Sequence, residues 1–140
     1  MKDKTIICKK LDALIGYYKE LKDFSAIPID EYMKNTLVRR AIERQLQLIV
    51  ECATDINNMI LKRLRNSPSK DYFNSFIDLA EENILSHEFA LKIAPSTGMR
   101  NIIVHQYQKV NDEIVYKSID STLLHYKVYI EEINKYLKCD

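Results

Sequence analysis

Residues 98–107, GMRNIIVHQY, gather an arginine, an asparagine, a histidine and a tyrosine into one short stretch. Imidazole moves protons near neutral pH, and guanidinium grips phosphate oxygens in a fixed fork, so Arg100 with His105 suits phosphodiester chemistry. On a helix, with Arg100 as origin, Val104 falls at about 40°, Gln108 at about 80°, Asn101 at about 100° and His105 at about 140°. Met99, Ile102, Ile103 and Val110 fall between about 200° and 300°, so one face is buried and Arg100, Asn101, His105 and Gln108 occupy another. Tyr107, at about 340°, sits at the edge beside Arg100. A single histidine serves as base or as acid, not both at once, whereas a twofold dimer would bring two histidines and two arginines into one cleft. Spacing alone equally allows an interfacial histidine beside a surface arginine with no chemistry.

Helices must position this stretch. Ile7, Leu11, Leu14, Tyr18 and Leu21 recur at gaps of four and three and mark a first amphipathic helix. Ser25 to Pro28 ends it, and Asp30 is expected to cap one long second helix running to about residue 64. Its apolar rows, Val38, Ile42, Ile49, Ala53, Ile56 and Ile60 beside Leu37, Ala41, Leu48, Cys52 and Met59, make a face wide enough for several neighbours. Ser69 or Asp71 starts a third helix with Phe73, Phe76, Ile77, Ala80 and Ile84 inward, and Ser86 caps a fourth. Pro95 must kink or restart that fourth helix, because it lacks an amide hydrogen and clashes one turn back. Helical character resumes over 99–110, and after Asn111 and Asp112 the last helix carries Val115, Ile119, Leu123, Tyr126, Ile130, Ile133 and Leu137. The expectation is all-α: an up-and-down four-helix bundle with a kinked or extra short helix, one domain over 1–140.

Composition excludes several other functions. The chain has 140 residues, 46% of them hydrophobic, enough for one core. With two glycines, neither a P-loop nor a Rossmann phosphate loop can be built. A net charge of +1 supplies no global field toward nucleic acid or membrane. No apolar run approaches the roughly 20 residues of a membrane span, and no secretory signal opens the chain, so a cytoplasmic protein is expected. Cys8, Cys52 and Cys139 stand far apart without a C-x-x-C pair and read as reduced thiols. Charge is uneven locally: Lys62, Arg63, Arg65 and Lys70 abut a stretch holding Asp71, Asp78, Glu81, Glu82 and Glu88. Such runs are usually solvated faces, with RNA contact or docking as the alternative. Glu43, Glu51 and Asp55 lie on the central helix, where the last two, four apart, make either a carboxylate pair or metal ligands, or simply pair with neighbours such as Arg44. His87 and His125 read as surface or boundary histidines, and the tyrosines as core-edge residues.

Arg100, four residues, His105, one residue, Tyr107 matches the Arg-x4-His-x-Tyr signature, and the chain resembles the HepT-type toxins of the HEPN superfamily. Asn101 fits the polar residue after the arginine, and Gly98 the small residue upstream. Glu43-Arg44 before an apolar run, a PS-x-DYF-like start at 68–73 and VNDEIVY at 110–116 extend the likeness over most of the chain. The resemblance implies an all-helical, metal-independent endoribonuclease toxin that needs no cofactor and acts as a homodimer. It assigns Arg100 to the scissile phosphate, His105 to proton transfer at the 2′-hydroxyl or leaving 5′-oxygen, and Asn101 to orienting either. The implied partner is a minimal nucleotidyltransferase antitoxin that transfers AMP to Tyr107, where added phosphate would occupy the arginine meant for RNA. With a charge of +1, RNA must be held by a local patch, for which Lys62, Arg63 and Arg65 or the dimer cleft are the candidates. The alternative is a non-catalytic helical subunit that presents substrate to a nucleotidyltransferase.

Overall fold

Among the residues described by the structure, a computed structural model covering 2–139 apart from 107 and 108, there are seven helices and no strand. They are α1 (Lys2–Phe24), α2 (Ile29–Lys34), α3 (Thr36–Arg65), α4 (Tyr72–Glu81), α5 (His87–Ile93), α6 (Ser96–His105) and α7 (Asp112–Leu137). The expected bundle is present. Its long members are α1, α3 and α7, and its fourth side is broken into α4, α5 and α6. None of these helices is long and apolar enough to cross a membrane.

Central placement of α3 follows from its two apolar rows. It packs against α1, α2, α4, α6 and α7, with Ile42, Leu46, Ile49, Ala53, Ile56 and Ile60 buried. Opposite it, α7 buries Val115, Ile119, Thr122, Tyr126, Tyr129, Ile133 and Leu137, so that Leu123 and Ile130 of the expected stripe sit half-buried at its border. The Tyr32 hydroxyl is buried without a hydrogen-bond partner, whereas the polar groups around Tyr129 are matched. The fully buried Tyr129 hydroxyl reaches Asn57 Oδ1 at 2.6 Å and the Ala53 carbonyl at 3.0 Å, while Asn57 Nδ2 donates to Ser75 Oγ at 2.9 Å. One hydrogen-bonded chain thereby fixes α7, α3 and α4 in register.

Several expectations are corrected. The second helix is two helices, because Asn35 takes an extended backbone and its side chain accepts from Val38 N at 3.1 Å, capping α3 in place of Asp30. Leu37, just inside that cap, is 83% exposed. Phe73, in the first turn of α4, is also exposed, whereas Phe76, one turn on, is fully buried. Asp71, Ser86 and Asn111 do cap α4, α5 and α7. Pro95 separates α5 from α6, and α6 ends at His105 instead of continuing to 110.

Cys8 and Cys139 are joined in a disulfide, not present as two thiols. Sequence distance hid the pairing: α1 packs along α7, which brings the two ends of the chain to a Cα separation of 5.7 Å, within disulfide range. Cys52 is the free thiol among the described residues, and its burial pushes its pKa up to about 11. Protein denatured without reductant is therefore expected to titrate one thiol, and three after reduction. Three thiols in both cases would mean the clasp does not form.

Candidate active site

Arg100 is placed by the way α6 sits on α3. Burial of Thr97 and Ile103 turns one side of α6 inward, and the Thr97 hydroxyl donates to the Ala94 carbonyl at 2.8 Å across the Pro95 break. The Arg100 side chain, 13% exposed, then lies over the middle of α3. Its Nε and Nη2 donate to Glu51 Oε2 at 2.9 and 2.6 Å, and Gln47 Nε2 donates to the same oxygen at 3.2 Å. Nη1 donates to Asn101 Oδ1 at 3.1 Å, and the guanidinium carbon stands 4.9 Å from the Tyr72 ring centre, a cation–π contact. Of five guanidinium N–H groups, three are committed and two remain for a ligand. The arrangement is a cation of fixed orientation at a partly open surface, able to take an anionic oxygen in a fork.

Arg100 and Asn101 are brought together, and His105 is not brought into contact with them. His105 is exposed at the last position of α6, five residues on, about 7.5 Å along the axis. Tyr107 and Gln108 lie outside the described residues. Glu51 and Asp55 form no carboxylate pair: Asp55 faces α1, with Lys10 Nζ 3.4 Å from its Oδ2, while Glu51 holds Arg100. Glu43 sits two turns earlier on α3, paired with Arg40 at 2.8 Å, and burial outweighs that cation to raise its pKa. Among the described residues no group of three or more His, Cys, Asp or Glu side chains could hold a metal ion.

The basic turn separates into unlike parts. Arg65 is tied to Asp78 of α4 at 2.6 Å, whereas Lys62 and Arg63 stay exposed at the end of α3, around a hollow shared with Asp3 and Ile7 of α1. His87 is exposed, as expected. His125 is half-buried with its ring edge-on to Phe89, and burial, then Lys92, lowers its pKa. Tyr72 and Gln47 were missed by sequence reasoning. Tyr72 was visible within the PS-x-DYF-like segment, and Gln47 with Glu51 as an i, i+4 polar pair on a largely apolar helix.

With this geometry in place, a family model described as Ribonuclease HepT-like matches residues 14–133. The chain belongs to the HepT-like ribonuclease family. It is 38% identical over 135 residues to a protein of Aphanizomenon flos-aquae named tRNA nuclease HepT, an alignment covering 96% of this chain and 92% of that one. It is also 25% identical over 103 residues to a Shewanella oneidensis protein named mRNA nuclease HepT, covering 74% and 77%. Two solved structures share the fold. One is a toxin–antitoxin complex with AMP-PNP (TM-score 0.84, 22% identity, 94% of this chain and 98% of that one). The other is a tri-AMPylated Shewanella oneidensis HEPN toxin in complex with its MNT antitoxin (TM-score 0.76, 20% identity, 96% and 98%).

If Glu51 and Arg100 act as one unit, Glu51→Ala, Arg100→Ala and the double variant will be non-additive. Denaturant unfolding is expected to give a coupling of about 1–3 kcal/mol, since either single change strands the other, largely buried partner. Additive losses would show that the contact contributes nothing.

Proposed function

We propose that this chain is the RNA-cleaving toxin of a toxin–antitoxin pair, active as a homodimer and silenced by AMP transfer to Tyr107 from a nucleotidyltransferase partner. The observation that carries the reading is Arg100, an arginine of fixed orientation with two uncommitted N–H groups, on the same helix as the exposed imidazole of His105. Family membership, the names of the tRNA and mRNA nuclease relatives and the AMPylated toxin–MNT complex support it.

The chemistry is an in-line transfer within the strand. Arg100 binds a non-bridging oxygen of the scissile phosphate and offsets the charge that builds there. His105 of one copy accepts the 2′-hydroxyl proton as O2′ attacks phosphorus, and the P–O5′ bond breaks. The same histidine of the second copy protonates the departing 5′-oxygen. A 2′,3′-cyclic phosphate and a 5′-hydroxyl result, with no water consumed and no metal required. DNA, lacking the 2′-hydroxyl, is not cut. Asn101 accepts from Nη1 and so orients the guanidinium on the phosphate side, while Glu51 is a positioning residue that fixes it from beneath. A phosphate on Tyr107, seven residues after Arg100, competes with RNA for that cation.

In a metal-free buffer with chelator, wild-type dimer should cleave RNA, with kcat lower by roughly 10²–10⁴-fold in His105→Ala. Arg100→Ala should lose a similar factor, both variants staying folded and dimeric. Equal RNA half-lives in wild type and variants, with binding of a nucleotidyltransferase intact, would replace this reading with that of a substrate-presenting subunit.

A further inference from the structure

Beside Arg100 lies a cavity of about 250 Å³, between the middle of α3, the α5–α6 break and α7. Arg100 lines both this cavity and the hollow that it shares with Tyr72 and Asn101, so a phosphate on Arg100 adjoins the cavity directly. The volume is slightly below the roughly 300–1,000 Å³ typical of whole small-molecule sites, which suits one heterocycle and not a complete cofactor.

The walls differ chemically. Exposed Pro95 and half-buried Met99, with the nearly covered Leu46 and Val50 of α3, give an apolar side against which a flat ring can stack. The α7 side carries Ser118, Ser121, Thr122 and His125, whose spacing of three and four sets them on one helix face. Ser118 Oγ donates to the Val115 carbonyl at 2.7 Å, and Ser121 Oγ donates to the Ser118 carbonyl at 3.1 Å. Each hydroxyl thus gives its hydrogen to its own helix and keeps its oxygen as an acceptor. Ser96 and Tyr126 are bonded to each other at 2.8 Å and close off the inner end. Lys92, one of the lining residues, has its Nζ 3.4 Å from Glu88 Oε1.

Apolar stacking surface, hydroxyl acceptors and a phosphate-binding arginine are the chemistry of a nucleotide site. We infer that this cavity takes one unstacked base of the RNA strand, adjoining the phosphate held by Arg100, and prefers a base with an exocyclic amino group. Proteins read RNA sequence mainly from bases splayed out of single-stranded loops and ends, and this cavity is sized for one of them. The amino group donates to the Ser118 and Ser121 oxygens, while a carbonyl at the same place is met only by a hydroxyl that gives up its bond to its own helix, and is disfavoured. Burial, then the Lys92 charge, lowers the His125 pKa and so favours the neutral ring, which offers one nitrogen as donor and one as acceptor for the ring edge. The inference rests on the proposed ribonuclease function and names its substrate as single-stranded RNA.

Cytidine and uridine monophosphates differ at the group in question and are the probes. Titrated into the whole protein and followed by calorimetry, cytidine monophosphate should bind about tenfold tighter than uridine monophosphate. The Ser118→Ala/Ser121→Ala variant, altered at positions that are not buried core, should bind both equally, and Arg100→Ala should weaken both. Oligocytidylate should displace the mononucleotide if the site serves a strand. Failure of cytidine monophosphate to bind folded wild type, equal binding of the two nucleotides, or no displacement by oligocytidylate would each overturn the inference. Cleavage of RNA without nucleotide binding would overturn only the cavity assignment. Discriminating, strand-displaceable binding without cleavage would support the site and overturn the ribonuclease function instead.

Discussion

A carboxylate on the central helix, Glu51, holding a largely buried guanidinium from α6 is the contact on which the site depends. A largely buried arginine is costly unless its charge is matched, and a single Glu51 oxygen accepts from two of its nitrogens and from Gln47. Pro95 lies at the break in the fourth side of the bundle, after which α6 carries Arg100 to Glu51. The rest of the fold supplies rigidity: the Tyr129–Asn57–Ser75 chain fixes α7, α3 and α4, and the Cys8–Cys139 bond ties the two ends of the chain.

Much of the scaffold was legible because it is carried by periodicity. The first and last helices, the caps at Asp71, Ser86 and Asn111 and the break at Pro95 follow from residue type and local spacing. The departures have local or tertiary causes. Asn35 was outcompeted as a stop signal by the apolar pattern running on either side of it, and Phe73 by its place in an outermost turn. Cys8 and Cys139 could be paired only by knowing that α1 lies along α7, since no local pattern encodes a contact across 131 positions.

The site divides in the same way. Arg100, Asn101 and His105 were visible as a linear motif, with His105 about 140° from Arg100 on the helix wheel. The partner of Arg100 was not assigned, because Glu51 lies 49 positions away and in sequence stands equally well with Asp55. Packing breaks that tie, turning Asp55 toward Lys10 of α1 and Glu51 toward α6. His125 looked like a boundary residue and is one; its neighbours Ser118, Ser121 and Thr122 gain meaning only when α3 and α6 face them.

The proposed cleavage depends on Glu51 fixing Arg100 for phosphate binding, and single-turnover cleavage of RNA by Glu51→Gln, beside Asp55→Asn, tests this most directly. Loss of orientation should slow cleavage by Glu51→Gln by about 10–100-fold at saturating RNA, with little change in KM and with Asp55→Asn at the wild-type rate. Wild-type cleavage by a folded Glu51→Gln protein would contradict it.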